Sequence, residues 1–295
     1  MGVTLLYGKK EIRLDLPSHI NIHLIEKHPM PLAEDPSRAV SEAFDNPVES
    51  PSLSKLARGK KSCCILICDI TRPVPNGLIL PPLVDTLISS GIPKENITIL
   101  VATGLHRPNE GEELRELIGS DEIFNSIRIE NHFARDREAH VDLGFTSQGI
   151  PIGIDRRFIN AELKIITGLV EPHFMAGYSG GRKVVAPGVA YQDTILKFHT
   201  AHILEHRNAD NCILDGNPLH EAQLEIIRTI GDIFAVNTVI DDKRRLGKVT
   251  FGAIEPSHLA AVEFMKKYGE VTIPRKFRTI VTSAGGYPLD KTYYQ

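Results

Sequence analysis

The sequence predicts an α/β fold: an open, mostly parallel sheet domain with flanking helices, followed by the start of a second α/β domain. Three observations carry this. From residue 62 onward, short apolar runs of strand length alternate with stretches of helical spacing, the pattern of parallel strands joined by crossover helices. Glycines such as Gly91 and Gly119 end the helical stretches, where the chain must leave right-handed geometry. At 295 residues and 42% hydrophobic content, the chain can bury a large core without disulfides or a structural metal.

Taken in order, residues 3–7 and 11–16 alternate around Gly8-Lys9-Lys10 and predict a hairpin. Residues 29–51 predict loop and a short helix. Residues 63–68, Cys-Cys-Ile-Leu-Ile-Cys, form an apolar run of strand length. Residues 80–90 have helical spacing and stop at Gly91. Residues 96–102 predict the next strand, 110–118 a helix stopped by Gly119, and 127–130 a further strand. Residues 162–167 predict another strand, directly followed by a glycine-rich stretch. Residues 193–206 and 220–229 read as helices, 233–240 and 248–251 as an antiparallel pair, and 256–268 as a helix. Residues 279–282 predict a fresh strand. The polar stretch 269–276, with Pro274, marks the domain boundary. Residues 1–270 are then the N-terminal α/β domain, and 271–295 open a second domain whose remainder is absent.

Composition excludes several functions. Net charge is −3 and the pI about 6.5, so no global positive field invites nucleic acid. No apolar run reaches the ~20 residues of a membrane span. The N-terminus lacks the charged start and apolar core of a secretory signal, so a cytoplasmic protein is expected. Cys63, Cys64, Cys68 and Cys212 match no common zinc spacing. They read as reduced, buried thiols.

In open α/β sheets, ligands bind beyond the carboxyl ends of the strands. Here those ends carry Asp69-Ile70-Thr71-Arg72-Pro73, Thr103-Gly104-Leu105-His106-Arg107-Pro108 and Gly168-Leu169-Val170-Glu171-Pro172-His173. Ser283-Ala284-Gly285-Gly286-Tyr287-Pro288 follows the last predicted strand. Several such loops with His and Arg point to a shared site. The densest stretch runs from His173 through Gly177-Tyr178-Ser179-Gly180-Gly181-Arg182-Lys183 to Pro187-Gly188. Its glycines let backbone approach a ligand, and Ser179, Arg182 and Lys183 add donors and charge that suit a phosphate. The spacing is neither a Walker motif nor a dinucleotide fingerprint. Downstream, His199, His202 and His206 share one face if residues 193–206 form one helix, and imidazoles so placed suit a transition metal.

Together these segments resemble the nickel-dependent lactate racemase family. The resemblance rests on Asp69-x-Thr71-Arg72-Pro73, Thr103-Gly104-x-His106-Arg107, Glu171-Pro172-His173 with the glycine-rich run, and Gly285-Gly286-Tyr287-Pro288-x-Asp290. It implies a racemase or epimerase of a short 2-hydroxy acid. It also implies a nickel-pincer nucleotide (a pyridinium-3,5-bisthiocarboxylic acid mononucleotide) covalently attached to Lys183, with His199 completing the nickel coordination. By the same resemblance, residues 1–270 bind the cofactor and carry catalysis, with His106 and His173 as acid and base. Arg72 grips the substrate, Gln295 is a further substrate contact, and Asp69, Thr71, Tyr178, Ser179, Gly180, Gly181 and Arg182 lie against the cofactor. The implied partners are the small hydroxy acid and the cofactor-biosynthesis proteins. Family members continue past this C-terminus. The chemistry is consistent with the assignment. Hydride transfer needs a cofactor because no side chain accepts hydride. Two enantiomers need two bases, and histidine suits proton traffic in both directions. From the residues alone two alternatives stay open: a non-catalytic nucleotide- or phosphate-binding protein, and a metal hydrolase centred on His199, His202 and His206.

Overall fold

The computed structural model describes residues 2–287 and residue 290. The N-terminal hairpin pairs β1 (Gly2–Tyr7) with β2 (Lys10–Asp15) antiparallel. Helix α1 (Pro36–Asp45) starts at Asp35, whose carboxylate accepts the Arg38 N–H, with Pro36 in the first turn, where its missing N–H costs nothing. The short α2 (Leu53–Ala57) leads into the main sheet.

That sheet is built from β3 (Cys63–Cys68), β4 (Ile97–Ala102), β5 (Arg128–Asn131), β8 (Leu163–Leu169), β11 (Phe234–Ile240) and β12 (Leu246–Ala253). The two intervening strands, β6 (His140–Phe145) and β7 (Pro151–Asp155), form a separate hairpin. The order is β12-β11-β8-β3-β4-β5, parallel throughout except for the antiparallel β11–β12 pair. The run 63–68 reads as continuously apolar because both sheet faces are covered. Cys63, Ile65 and Ile67 pack with α1 and with α3 (Asn76–Ser89). Cys64 and Leu66 pack into the opposite core.

The predicted helix ends hold. Helix α4 (Gly111–Ile118) stops at Gly119, which adopts φ +67 and so closes the helix in the left-handed region. Helix α3 begins earlier than the apolar spacing shows. Its first residue, Asn76, is buried and polar: its amide donates to the Leu117 carbonyl and accepts from the Thr167 hydroxyl. Helix α5 (Asp121–Ser126), α6 (Arg156–Asn160) and the β6–β7 hairpin were not legible in the pattern. The hairpin strands pair with each other outside the main sheet, apart from an isolated bridge between Ile154 and Ala190, so no long apolar run marks it.

Two expectations are corrected. Residues 193–206 are not one helix. They divide into α8 (Gln192–Phe198) and α9 (Ala201–Leu204), with Thr200 extended between them; α7 (Arg182–Val185) precedes them. Phe198 and Ile203 are both buried, and five residues apart on a straight helix they would face different directions; the break lets both reach the core. Residues 279–282 form no strand and pair with no strand among the described residues, and Ile280 and Val281 are exposed. Helix α10 (Pro218–Ile230) covers the second core, and α11 (Ile254–Gly269) packs on β11 and β12. Among the described residues, no helix is long and apolar enough to cross a membrane.

Candidate active site

The strand order places a crevice. The chain runs from β3 to β4 and β5 on one side, then returns to β8 on the other side of β3. The loops leaving β3 and β8 therefore part in opposite directions, and in open sheets ligands bind at such a switch point. Asp69–Arg72 leave β3, Glu171–His173 follow β8, and His106 follows β4, the next strand over.

Asp69 and Thr71 are buried at the floor of this region. The Thr71 hydroxyl donates to Asp69 Oδ1 at 2.6 Å, and His106 Nδ1 lies 2.6 Å from Asp69 Oδ2. A carboxylate only accepts, so the imidazole proton sits on Nδ1 and Nε2 is the basic nitrogen. The loop carrying His106 is held in place. Gly104, at φ +55, donates its N–H to the Gly188 carbonyl at 2.9 Å, and the Ile70 N–H donates to the Asn109 side chain.

His173 has the opposite arrangement. Its Nδ1 accepts from the Met175 and Ala176 N–H groups at 3.3 and 3.2 Å, so the neutral ring carries its proton on Nε2. Burial pushes its pKa far below the usual histidine range, and the positive charges of Lys183, Arg72, Arg182 and His199 add to that. Phe174 stacks on the ring with centroids 4.8 Å apart and is itself exposed. A short pair, β9 (Pro172–His173) with β10 (Gly177–Tyr178), sets the turn between them.

The glycine-rich run folds back over β8. The Ser179 hydroxyl donates to the Leu169 carbonyl at 2.7 Å, and Gly180 and Gly181 take φ +74 and +49, a conformation glycine adopts without strain. A Cβ on Gly180 would lie 2.8 Å from Val170, so the cradle is shaped for glycine. Lys183 follows in α7. Desolvation, then Arg182 and Arg72, push its amine down to about 7. No carboxylate is among these causes.

The other side chains of the run point elsewhere. Arg182 is buried, with Nη1 donating to the Tyr178 carbonyl at 2.9 Å and Nη2 to the Ala176 carbonyl at 2.7 Å. The Tyr178 hydroxyl donates to Glu270. These two side chains and the Ser179 hydroxyl brace the loop; the phosphate-donor reading from the sequence does not describe their bonds. Gln295 lies outside the described residues.

His199 caps α8 and is exposed. Its Nδ1–H donates to the Ile195 carbonyl at 2.8 Å, which leaves the Nε2 lone pair for a metal and fixes the ring, as ligand histidines require. His202 and His206 do not join it. With the helix broken, no group of three or more His, Cys, Asp or Glu side chains able to hold a metal occurs among the described residues. The donor set therefore fits a group that brings its own metal ligands: one imidazole, an amine whose pKa burial lowers to about 7, and a glycine cradle.

Sequence reasoning named Glu171 in a strand-end loop without giving it a role, and passed over Asn237 and His258. Glu171 is half-buried; burial raises its carboxyl pKa, while Arg72 and Lys27 oppose the shift. Asn237 accepts the Gly181 N–H and His258 packs under Gly181. Neither sits at a strand end or in a spaced motif, so no local signal marks them.

A model of the lactate racemase N-terminal domain matches residues 7–211. The chain is 31% identical over 298 residues to the lactate racemase of Thermoanaerobacterium thermosaccharolyticum, covering 100% of this chain and 69% of that protein. It is 37% identical over 256 residues to the lactate racemase of Lactiplantibacillus plantarum, covering 87% of this chain and 60% of that protein. Its fold matches the lactate racemase apoprotein from T. thermosaccharolyticum with a TM-score of 0.86 at 31% identity, again over 100% of this chain and 69% of that one. A crystal structure of a Thermotoga maritima protein shares the fold alone, at 23% identity and a TM-score of 0.64 over 80% of this chain and 58% of that one. By model, sequence and fold, this chain belongs to the lactate racemase family.

Proposed function

We propose that this chain carries the cofactor-binding and catalytic part of a racemase or epimerase of a short 2-hydroxy acid, with lactate the first substrate to test. The observation that carries the reading is the pair of histidines with opposite hydrogen-bonding: His106 presents a basic Nε2 and His173 a protonated one. Inverting C2 requires one group to take the hydroxyl proton and another to return a proton to the oxygen after the planar keto acid has been met from its other face.

Arg72 serves as the grip for the substrate carboxylate, through parallel hydrogen bonds a guanidinium makes well. Asp69 holds His106 in the tautomer whose Nε2 can accept a proton, and stabilises the imidazolium that then forms. His173 is kept neutral here partly by the charges of Lys183 and Arg72. Burial is the larger cause; an anionic substrate beside Arg72, and conversion of the Lys183 amine to an amide-like link, both oppose the charge part of the shift and favour proton uptake by His173.

Lys183 is the attachment point for the nickel-pincer nucleotide and His199 its protein ligand to nickel. When bound, that group supplies the acceptor for the C2 hydrogen with its electron pair, which no side chain can supply. An amine titrating near 7 is nucleophilic enough for attachment. Cofactor-biosynthesis proteins are the partners this requires. All four cysteines are free thiols, which suits a reducing, cytoplasmic setting.

The test is intact mass and nickel content of a longer form of the protein, co-expressed with cofactor-biosynthesis proteins, together with chiral analysis of lactate. The expected result is an adduct on Lys183, one nickel, and interconversion of the enantiomers. A product with neither adduct nor nickel would sink the reading.

A further inference from the structure

The glycine-rich run does not hold its shape alone. Its hydrogen bonds back to β8 fix Ser179, but the turn at Gly180 and Gly181 rests on the neighbouring strand β11 and on α11. The Gly181 N–H donates to Asn237 Oδ1 at 3.0 Å, and Asn237 is fully buried on β11. The amide's orientation is set from behind: Asn237 Nδ2 donates to the Ser257 hydroxyl on α11 at 3.3 Å, and that hydroxyl donates to the Ile254 carbonyl at 3.5 Å. The oxygen, not the nitrogen, therefore faces the turn.

His258, also on α11, is the second support. Its ring lies under Gly181 so closely that a Cβ there would come within 2.7 Å of it. Its Nε2 is 2.8 Å from the Ser179 carbonyl and 3.1 Å from Arg182 Nη1. One nitrogen cannot donate to the carbonyl and accept from the guanidinium together. The shorter contact, and the partner Arg182 Nη1 already has in the Tyr178 carbonyl, assign the proton to Nε2, donated to Ser179. Burial keeps the ring neutral, its pKa well below the usual range. From this turn the chain enters α7 directly: the Lys183 N–H donates to the Gly180 carbonyl and the Val184 N–H to the Gly181 carbonyl, both at 3.1 Å.

We propose that Asn237 and His258 are positioning residues for Lys183: acting from β11 and α11, they hold the Gly180–Gly181 turn so that the lysine amine is presented beside Arg72 and His173. The inference rests on the reading of Lys183 as the attachment lysine. It makes β11 and α11, which contribute none of the reacting groups assigned above, responsible for the reactivity of that amine.

The experiment reads the amine itself, without cofactor. Competitive acetylation with acetic anhydride across a pH series, followed by peptide mass spectrometry, gives an apparent pKa for each lysine. Lys164, at the opposite end of β8 and also lowered by burial, is the internal control. Asn237→Ala and His258→Leu are each expected to raise the Lys183 value by about one unit, slowing its acetylation at neutral pH on the order of tenfold, with Lys164 unchanged. His258→Gln, which keeps an N–H donor for Ser179, is expected to retain most of the wild-type behaviour. An unmoved Lys183 in the folded variants overturns the proposal, and so does an equal shift at both lysines, since that reports general loosening. If His258→Leu does not fold, the milder Asn237→Ser, which withdraws the acceptor, decides by the same criterion. A wild-type chain that takes no adduct during co-expression would defeat the attachment reading while leaving this titration result intact.

Discussion

Asp69 Oδ2 lies 2.6 Å from Nδ1 of His106, while its other oxygen takes the Thr71 hydroxyl at the same distance. The carboxylate thus fixes the tautomer of a histidine from another strand. Asp69→Asn can present an N–H to the ring and favour the wrong tautomer. In the cofactor-loaded enzyme it is expected to slow interconversion of lactate enantiomers on the order of 10²–10⁴-fold. Thr71→Val, which only loosens the carboxylate, should cost far less. A full rate in Asp69→Asn removes the role assigned to the pair.

His199 and the two histidines proposed for proton transfer should separate by metal content. His199→Ala is expected to keep the Lys183 adduct but lose nickel. His106→Ala and His173→Ala should keep both and lose interconversion. Intact mass with elemental analysis distinguishes the cases, and nickel retained in His199→Ala contradicts its assignment.

Acid should unfold this chain early. His132, His173, His220 and His258 all have pKa values lowered by burial, His132 and His220 to about 3. Their unfolded value is about 6.5, so below that pH the unfolded chain binds more protons and stability falls. The contribution is present above about 6.5 and lost as pH drops. Each extra proton is worth about 1.4 kcal/mol per pH unit. Urea midpoints measured from pH 7.5 down to about 5 should decline steeply; a flat profile would mean these rings are protonated in the folded state.

Arg182 should prove structural. Arg182→Met leaves the Tyr178 carbonyl without its guanidinium donor in a buried setting, at a cost of about 1–3 kcal/mol. The urea midpoint of the cofactor-free chain should fall accordingly. Unchanged stability with impaired loading alone would restore Arg182 as a phosphate contact.

What could be read from the sequence was what local chemistry decides. Cys63–Cys68 announced a strand, and Gly119 announced a helix stop, because both depend on near neighbours. Strand-end placement was enough to bring Asp69, Arg72, His106 and His173 under suspicion. The break between α8 and α9 was not legible, since it depends on where Phe198 and Ile203 find the core. Nor were Asn237 and His258, whose hydrogen bonds reach Gly181 and Ser179 across large sequence separations. The carbonyl partners of Arg182 were hidden for the same reason: in the sequence, a cation in a glycine-rich run looks only like an anion contact.

Strand β8 has a kinetic consequence. It lies between β3 and β11, pairing Leu163 with Cys63 and Ile165 with Phe234, so both its borders are long loops to close. Such pairings are slow because chain entropy is lost before contacts repay it. The β3–β4 pairing can form while β8 is still unplaced, but the turn presenting Lys183 cannot be complete until β8 and β11 have joined. Appearance of the low-pKa amine during refolding should therefore follow formation of most helical signal. Cofactor attachment would then be confined to chains that have finished folding, an ordering built into the strand sequence itself.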